Sequence, residues 1–433
     1  MKLLVFAHTP PPHHGQSYMV QLMLDGFGGD HRRPGGRASL KPDQYGVKCY
    51  HVNAQVSKEL EDIGDFRIGK LFLLIGFCFQ AIWCHFRHGV NTMYYIPAPG
   101  KRSALYRDWI VMWLCRPFFK QIILHWHAAG MGKWLETHVQ MREREFTYER
   151  FKNIDLSIVL SDYNRADAEK LLPQSIRVVS NGIPDPCPEF QEQILPLRRA
   201  RFAARKKLAA GLVLSPDELK DAGHAPQIFN VFYLAHCTHE KGLFDAIQGV
   251  LLANRQLIRD GAPFTMELTV AGSFPEESEK EEFDLILSSP EGSQAIRYLG
   301  FLAGSEKKKA LREADLFCFP TYYRNENQPV NLIEAMAFGL PILTTHWRSI
   351  PELLPSDYRC LVDIHSPRQI ADALLTCLVG EQPEFFRELF LSNFTLEQYL
   401  SGLAEAFHSL ELKDCASSTP ALVPSIKTTT RPQ

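Results

Sequence analysis

The sequence predicts an α/β protein made of two doubly wound, parallel-sheet domains. Three observations predict it. Short apolar runs of strand length alternate with amphipathic runs of helix length. The alternation occurs twice along the 433 residues, and a proline-rich and basic interval at 184–222 separates the two series. Strands that alternate with helices pair in parallel through crossover connections. Two consecutive units of similar size suggest two Rossmann-like domains facing one another across a cleft.

The first series opens on the strand KLLVFAH (2–8), which breaks into the loop TPPPHHGQS (9–17) before an amphipathic helix begins near Tyr18. A helix at 68–87, a strand at 92–97, a helix at 104–118 and a strand at 121–127 follow. A charged helix (134–152), a strand (156–161), a helix (163–172) and the strand IRVVSNGI (176–183) complete it. The second series runs from strand 229–236 through helix 242–258, strand 266–272, helix 276–288, strand 295–301, helix 305–313 and strand 315–320. A short apolar helix, the strand at 341–345 and a last set of helices close it. The expected domains are 1–185 and 186–393, with a helix at about 394–412 returning to the first domain and a disordered tail at 413–433.

Composition is that of an ordinary globular chain, 45% hydrophobic and 22% charged. A net charge of −2 gives no reason to expect nucleic acid as a partner. The balance is uneven: residues 1–185 hold 23 Lys and Arg against 17 Asp and Glu, and ten of the sixteen histidines. A mildly basic half suits an anionic membrane surface or phosphorylated substrates, and ordinary fluctuation explains it equally well. Ten cysteines without a Cys-x-x-Cys pair read as free thiols in a reducing, cytoplasmic compartment. The run LFLLIGFCFQAIW (71–83) is the most apolar, yet at 13 residues it is shorter than the ~20 of a spanning helix. It reads as a buried helix, with a membrane-dipping surface as the alternative and peripheral membrane contact through the first domain as its consequence.

The segment YYRNENQPVNLIEAMAFGLP (322–341) carries the chemistry. It follows an apolar strand, so its loop lies at the carboxyl edge where open α/β sheets bind ligands. Pro329 suits a helix start, and Gly339 and Pro341 stop the helix. Glu326 falls in the loop and Glu334 in the second helical turn. A carboxylate among Leu332, Ile333, Met336 and Ala337 needs a partner. Vicinal sugar hydroxyls would serve, and so would an internal lysine or the helix N-terminus.

The pair Glu326 and Glu334, at Glu-x7-Glu spacing and followed by AMAFGLP, resembles the signature of glycosyltransferase family 4, retaining enzymes of the GT-B fold. VFYLAHCTHEKGLFDAI (231–247), LTVAGS (268–273), IRYLGF (296–301) and ADLFCFPT (314–321) resemble the family's second domain in order. HTPPPHHGQS, ILHWHAAG (123–130) and VVSNGI (178–183) resemble elements of its first domain. The resemblance covers about residues 1–410.

It implies a UDP- or GDP-sugar donor held mainly by the second domain. Lys241 would neutralise the diphosphate, with His236 where the family usually has arginine and with Arg324 or Arg348 as compensating cations. Glu334 would take the ribose hydroxyls and Glu326 would lie near the donor sugar. Backbone amides of Asn327, Gln328 and Val330 would cradle the donor. Asn327 and Pro329 stand where relatives often have glycine. Backbone around Leu299 would hold the base. Gly15 would admit the diphosphate closely, and His127, rather than His125, would be the active-site histidine. Lys101, Arg102 and Arg107 could face an acceptor phosphate, and read more simply as solvated. No metal or other cofactor is expected.

The function implied is sugar transfer to a glycan or lipid-linked acceptor, in surface polysaccharide or glycoconjugate synthesis. Rival readings on the same fold are a sugar-nucleotide epimerase, a phosphorylase and a non-catalytic partner subunit. Acceptor choice falls to the first-domain loops at 28–66 and 98–103.

Overall fold

A computed structural model describes residues 1–11, 15–32, 44–55, 68–97, 99–223, 225–378 and 383–417. Residues 33–43 and 56–66 of the span 28–66, expected to choose the acceptor, and residues 418–433 of the tail lie outside the described residues. The first six strands are β1 (Lys2–Ala7), β2 (Lys48–Asn53), β3 (Thr92–Tyr95), β4 (Gln121–Trp126), β5 (Leu156–Val159) and β6 (Ile176–Val178). They form one parallel sheet in the order β2-β1-β3-β4-β5-β6. Around it lie α1 (Gly15–Gly26), α2 (Ile68–His88), α3 (Arg102–Cys115), α4 (Met131–His138), α5 (Met141–Phe151) and α6 (Arg165–Glu169).

The second sheet has β7 (Ile228–Leu234), β8 (Thr265–Ala271), β9 (Ile296–Tyr298), β10 (Leu316–Phe319), β11 (Ile342–Thr345) and β12 (Leu361–Val362). Its order is β12-β11-β10-β7-β8-β9, again all parallel. Its helices are α7 (Leu195–Ala209), α8 (Pro216–Asp221), α9 (Leu243–Arg259), α10 (Glu277–Leu287), α11 (Pro290–Ala295), α12 (Gly304–Glu313), α13 (Val330–Ala337), α14 (Pro367–Cys377) and α15 (Pro383–Asn393). The last helix, α16 (Leu396–Ser417), lies back on the first domain. There Phe407 packs on Phe27 with ring centroids 6.0 Å apart, and His408 Nε2 lies 2.8 Å from the Tyr45 carbonyl. Two parallel six-stranded sheets flanked by helices make this a two-domain α/β protein of the GT-B fold.

Five details differ from the sequence reading. The span 28–66, read as a loop, contains the strand β2, whose buried Cys49, Tyr50, His51 and Val52 pair with β1. The charged segment at 134–152 is two helices, α4 and α5. The strand expected at 176–183 pairs continuously only over β6, and Ile183 instead bridges Thr395 at the start of α16. Helix α16 continues to Ser417, so residues 413–417 are not a disordered tail. The apolar segment at 71–83 belongs to a helix of 21 residues, which is long and apolar enough to cross a membrane. Nor is that helix buried, because only one of its stripes packs on the sheet. Lys70, His85 and Arg87 interrupt its apolar run at the ends and conceal its length in the sequence.

Candidate active site

In open sheets the ligand crevice forms where strand order reverses, because flanking crossovers leave opposite faces there. The reversal falls between β1 and β3 in the first sheet and between β7 and β10 in the second. Residues that follow those four strands line one cleft of about 920 Å³ between the domains. His8, Pro97 and Pro99 come from the first domain, and Leu234–His236, Tyr323 and Asn325–Asn331 from the second. Helices α1, α9 and α13 begin at this cleft, so the positive ends of three helices face it. Such an edge suits an anion.

Lys241 is placed by its neighbour. Gly242 has φ +80°, and a Cβ there would meet the Pro320 carbonyl oxygen at 2.2 Å, so only glycine lets α9 start this close to β10. The Lys241 ammonium then lies 2.6 Å from Glu326 Oε2 and 4.3 Å from the Tyr323 ring centroid. Glu326 also accepts from Thr321 Oγ1 at 3.3 Å. Both partners are largely buried at the cleft wall, where an ion pair is screened less than at the surface. His236 is held beside this pair, with Nδ1 3.4 Å from Ser273 Oγ. Burial and the Lys241 charge push its pKa below the ordinary histidine value, which leaves the ring neutral at pH 7.

From the first domain, Gly15 opens α1 opposite Val330. A Cβ at Gly15 would lie 3.9 Å from Val330 Cγ2. His127 lines the cleft just beyond β4. His125 is fully buried two residues earlier, with Nδ1 2.6 Å from the Tyr94 hydroxyl and its ring 4.2 Å from that of His127. Burial, then the neighbouring His127, holds the His125 pKa well below the usual range.

Asn327 and Gln328 line the cleft while their side chains cross it. Asn327 Nδ2 donates to the Trp126 carbonyl at 3.4 Å, and Ser349 Oγ donates to Asn327 Oδ1 at 2.9 Å. Gln328 Oε1 accepts from the Asn181 amide at 2.5 Å, and the Gln328 carbonyl accepts from Asn181 Nδ2 at 3.1 Å. The departure from glycine at Asn327 therefore adds a contact that ties the two domains together.

Two expected ligands stand apart from the cleft lining. Glu334 pairs through Oε1 with Lys307 Nζ at 2.5 Å. This is the internal partner that its apolar helix required. Leu299 is partly exposed and its amide is used by the Val270 carbonyl at 2.9 Å, so Phe301, Leu302, Gly272 and Ser273 line that end instead. Neither arginine proposed to compensate for His236 reaches the lining. Arg324 is exposed, and Arg348 lies over Gly130, where an added Cβ would meet its Nη1 at 2.5 Å. Arg107, read as solvated, does line the cleft, and donates to Asp108 Oδ1 at 3.0 and 3.1 Å.

His8, Gln16, Gly272 and Ser273 were missed in the sequence. Their signal was positional: His8 and Gln16 sit at the end of β1 and the start of α1, beside the first switch point, and Gly272 and Ser273 follow β8, next to β7. Among the described residues no group of three His, Cys, Asp or Glu side chains is placed to hold a metal ion.

Residues 231–379 match the family described as glycosyl transferases group 1, about a third of the chain. The amylovoran biosynthesis glycosyltransferase AmsK of Erwinia amylovora is 32% identical over 141 residues, which span 32% of each chain. The chain thus matches about a third of the length of that curated relative. The fold extends much further. The Anabaena protein HepE, solved in complex with UDP, superposes with a TM-score of 0.61 at 14% identity, covering 94% of this chain and all of that one. Sucrose-phosphate synthase of Thermosynechococcus elongatus gives 0.62 at 16% identity, covering 96% of this chain and all of that one.

Proposed function

We propose that this protein is a retaining glycosyltransferase, similar to glycosyltransferase family 4, that moves a sugar from a UDP- or GDP-sugar to a glycan or lipid-linked acceptor. The observation that carries the reading is the Lys241–Glu326 pair at the switch point of the second sheet, facing Gly15 and His127 of the first domain. The matched stretch at 231–379 contains both residues. The AmsK resemblance supports polysaccharide synthesis as the setting, and the UDP bound by HepE supports a nucleotide donor.

In this reading the pyrophosphate lies against the N-termini of α1, α9 and α13. Lys241 turns from Glu326 to the phosphates, so a cation already held in the wall meets the leaving group without reorganising solvent. Glu326, released from the ammonium, faces the sugar. His127 contacts the sugar from the first domain. Glu326 and Glu334 lie on one segment, and Glu334 is committed to Lys307 through one oxygen. They do not form the acid and nucleophile pair of a retaining hydrolase. The departing diphosphate is balanced by Lys241 and the helix N-termini, with no metal ion invoked.

Calorimetry of the purified protein with UDP and GDP tests the reading. One nucleotide is expected to bind and to raise the melting temperature by mass action. A panel of the matching nucleotide sugars then identifies the donor by nucleotide release. A protein that binds neither nucleotide fits a non-catalytic subunit and overturns the proposal.

A further inference from the structure

Helix α2 presents one stripe to the protein and another to solvent. Leu74, Cys78, Ala81 and Cys84, spaced three or four apart, are buried where α2 packs on β1, β2 and α3. Phe72, Phe79, Trp83 and Phe86 lie on the other stripe, and each keeps between 57% and 70% of its surface exposed. Gly76 lies among them, where an added Cβ would meet nothing within 4 Å. Phe118, just after α3, extends the strip, with its ring centroid 5.9 Å from that of Phe86. Water-soluble surfaces rarely leave so many large aromatics uncovered in a row.

The charge along the strip is almost all of one sign, the exception being Asp30, which faces the C-terminal end of α2 and is paired with Arg32. Between Ile68 and Leu135 the sequence has eight Lys and Arg and a single carboxylate, Asp108, which is fully buried. Arg87 and Lys120 are exposed beside Phe86 and Phe118. An apolar aromatic stripe edged with cations is the pattern of a helix that lies in the plane of an anionic bilayer. A second copy of this chain would bring like charges together. A spanning orientation would pull Leu74, Cys78, Ala81 and Cys84 off the sheet.

We propose that α2 docks the protein flat on an anionic lipid bilayer. Its aromatic rings enter the boundary between headgroups and acyl chains, and Arg87 and Lys120 lie against lipid phosphates. Orientation gives the docking a use. Strands of the first sheet run toward the cleft, ending at the lining residues Ala54, Gln55 and Pro97, so α2, which crosses between parallel strands, starts from the cleft end of the sheet. A lipid-linked acceptor would then enter from the same side, a consequence that rests on the proposed sugar transfer, whereas the docking does not.

Sedimentation of the full chain with phosphatidylcholine vesicles, with and without phosphatidylglycerol, tests the docking in the absence of nucleotide. Binding is expected to require phosphatidylglycerol and to fall with added salt. The variant F72S/F79S/W83S should lose at least about tenfold in vesicle binding. Its circular-dichroism melt and its nucleotide binding should match the wild type. The charge variant R87E/K120E should lose the preference for the anionic vesicles. Three outcomes overturn the proposal: no vesicle binding by the wild type, equal binding by the serine variant, or a wild-type dimer in light scattering that the serine variant abolishes. Because no donor is present, none of these outcomes bears on the donor site.

Discussion

Lys241 and Glu326, 85 residues apart in sequence, form a 2.6 Å ion pair at the wall of the cleft. The pair holds both charges in place before any ligand arrives. Lys241→Ala should therefore act twice. It removes the cation that meets the diphosphate, and it leaves Glu326 without its ammonium partner in the ligand-free protein. Nucleotide affinity is expected to fall at least about tenfold, or ~1.4 kcal/mol. Stability should drop by about 3 kcal/mol, the cost of an uncompensated, largely buried charge. The double variant Lys241→Ala/Glu326→Gln should recover much of the stability and none of the affinity. Calorimetry and urea unfolding of the four proteins make the double-mutant cycle that checks this.

His236 gives the protein a pH dependence of opposite sign in stability and in binding. Burial, then Lys241, lowers its folded pKa, so on acidification the unfolded chain takes up the proton first. Stability is complete above the ordinary histidine value of about 6.5 and declines as pH falls from there toward the lowered folded value. A diphosphate favours the imidazolium, so binding should take up a proton and tighten as pH falls through the same window. His236→Gln should flatten the binding profile between pH 8 and pH 6. It should flatten the stability profile only in part, because the pKa of buried His125 is also lowered.

Much of the fold was legible because its signals are local. Helix α13 starts directly after Pro329 and ends at Gly339 with φ +64°, as those residue types require. The alternation of strands and helices fixed two parallel sheets in the same way. The partners of the charges were not legible, since they come from other elements. Lys307 reaches Glu334 from α12, and Lys241 reaches Glu326 from the start of α9. The basic helix α7 read only as part of the interval between the two series, yet Arg198, Arg201 and Arg205 are buried and their guanidiniums bind backbone carbonyls. Asn327 was visible only as a departure from glycine, and its reach to Trp126 depends on how the two domains meet.

Glu334 separates two roles that one residue can hold. Its Oε1 is engaged by Lys307, which leaves Oε2 for a ribose hydroxyl. Glu334→Gln should weaken UDP or GDP by about tenfold if a hydroxyl donates to the carboxylate, a charged hydrogen bond worth roughly 1.5–3 kcal/mol. The 2′-deoxynucleotide should be much less affected. Equal losses for ribo- and deoxyribonucleotide would leave Glu334 as the structural partner of Lys307 alone.

Asn181 and Gln328 latch the first domain to the second through two hydrogen bonds. Asn181→Ala cannot remove the backbone donor, but it deletes the Nδ2 bond and frees the loop around it. The expected cost is about 1 kcal/mol, and the larger effect should be on domain spacing. Small-angle scattering of the ligand-free variant should give a larger radius of gyration than the wild type, and added nucleotide should reduce it. An unchanged radius with lowered stability would make the contact a local brace.

Arg205 and Asp315 test the frame behind the site. Arg205 Nη2 lies 2.6 Å from Asp315 Oδ2, Arg201 Nη1 lies 3.6 Å from Oδ1, and the Asn230 amide donates to Oδ2 at 2.9 Å. All three side chains of this charged cluster are buried, so α7 is fastened to the edge of β7 and β10 by a carboxylate that water does not reach. Arg205→Met keeps the volume and removes the nearer cation. The loss should be about 3 kcal/mol, the low end for breaking a buried pair, because Arg201 still faces the carboxylate. Adding Asp315→Asn should recover part of it. None of these residues lines the cleft, so nucleotide affinity measured on folded protein should stay within about twofold of wild type. A large loss of affinity in Arg205→Met at full folding would show that α7 governs the position of β7 and β10 at the donor site.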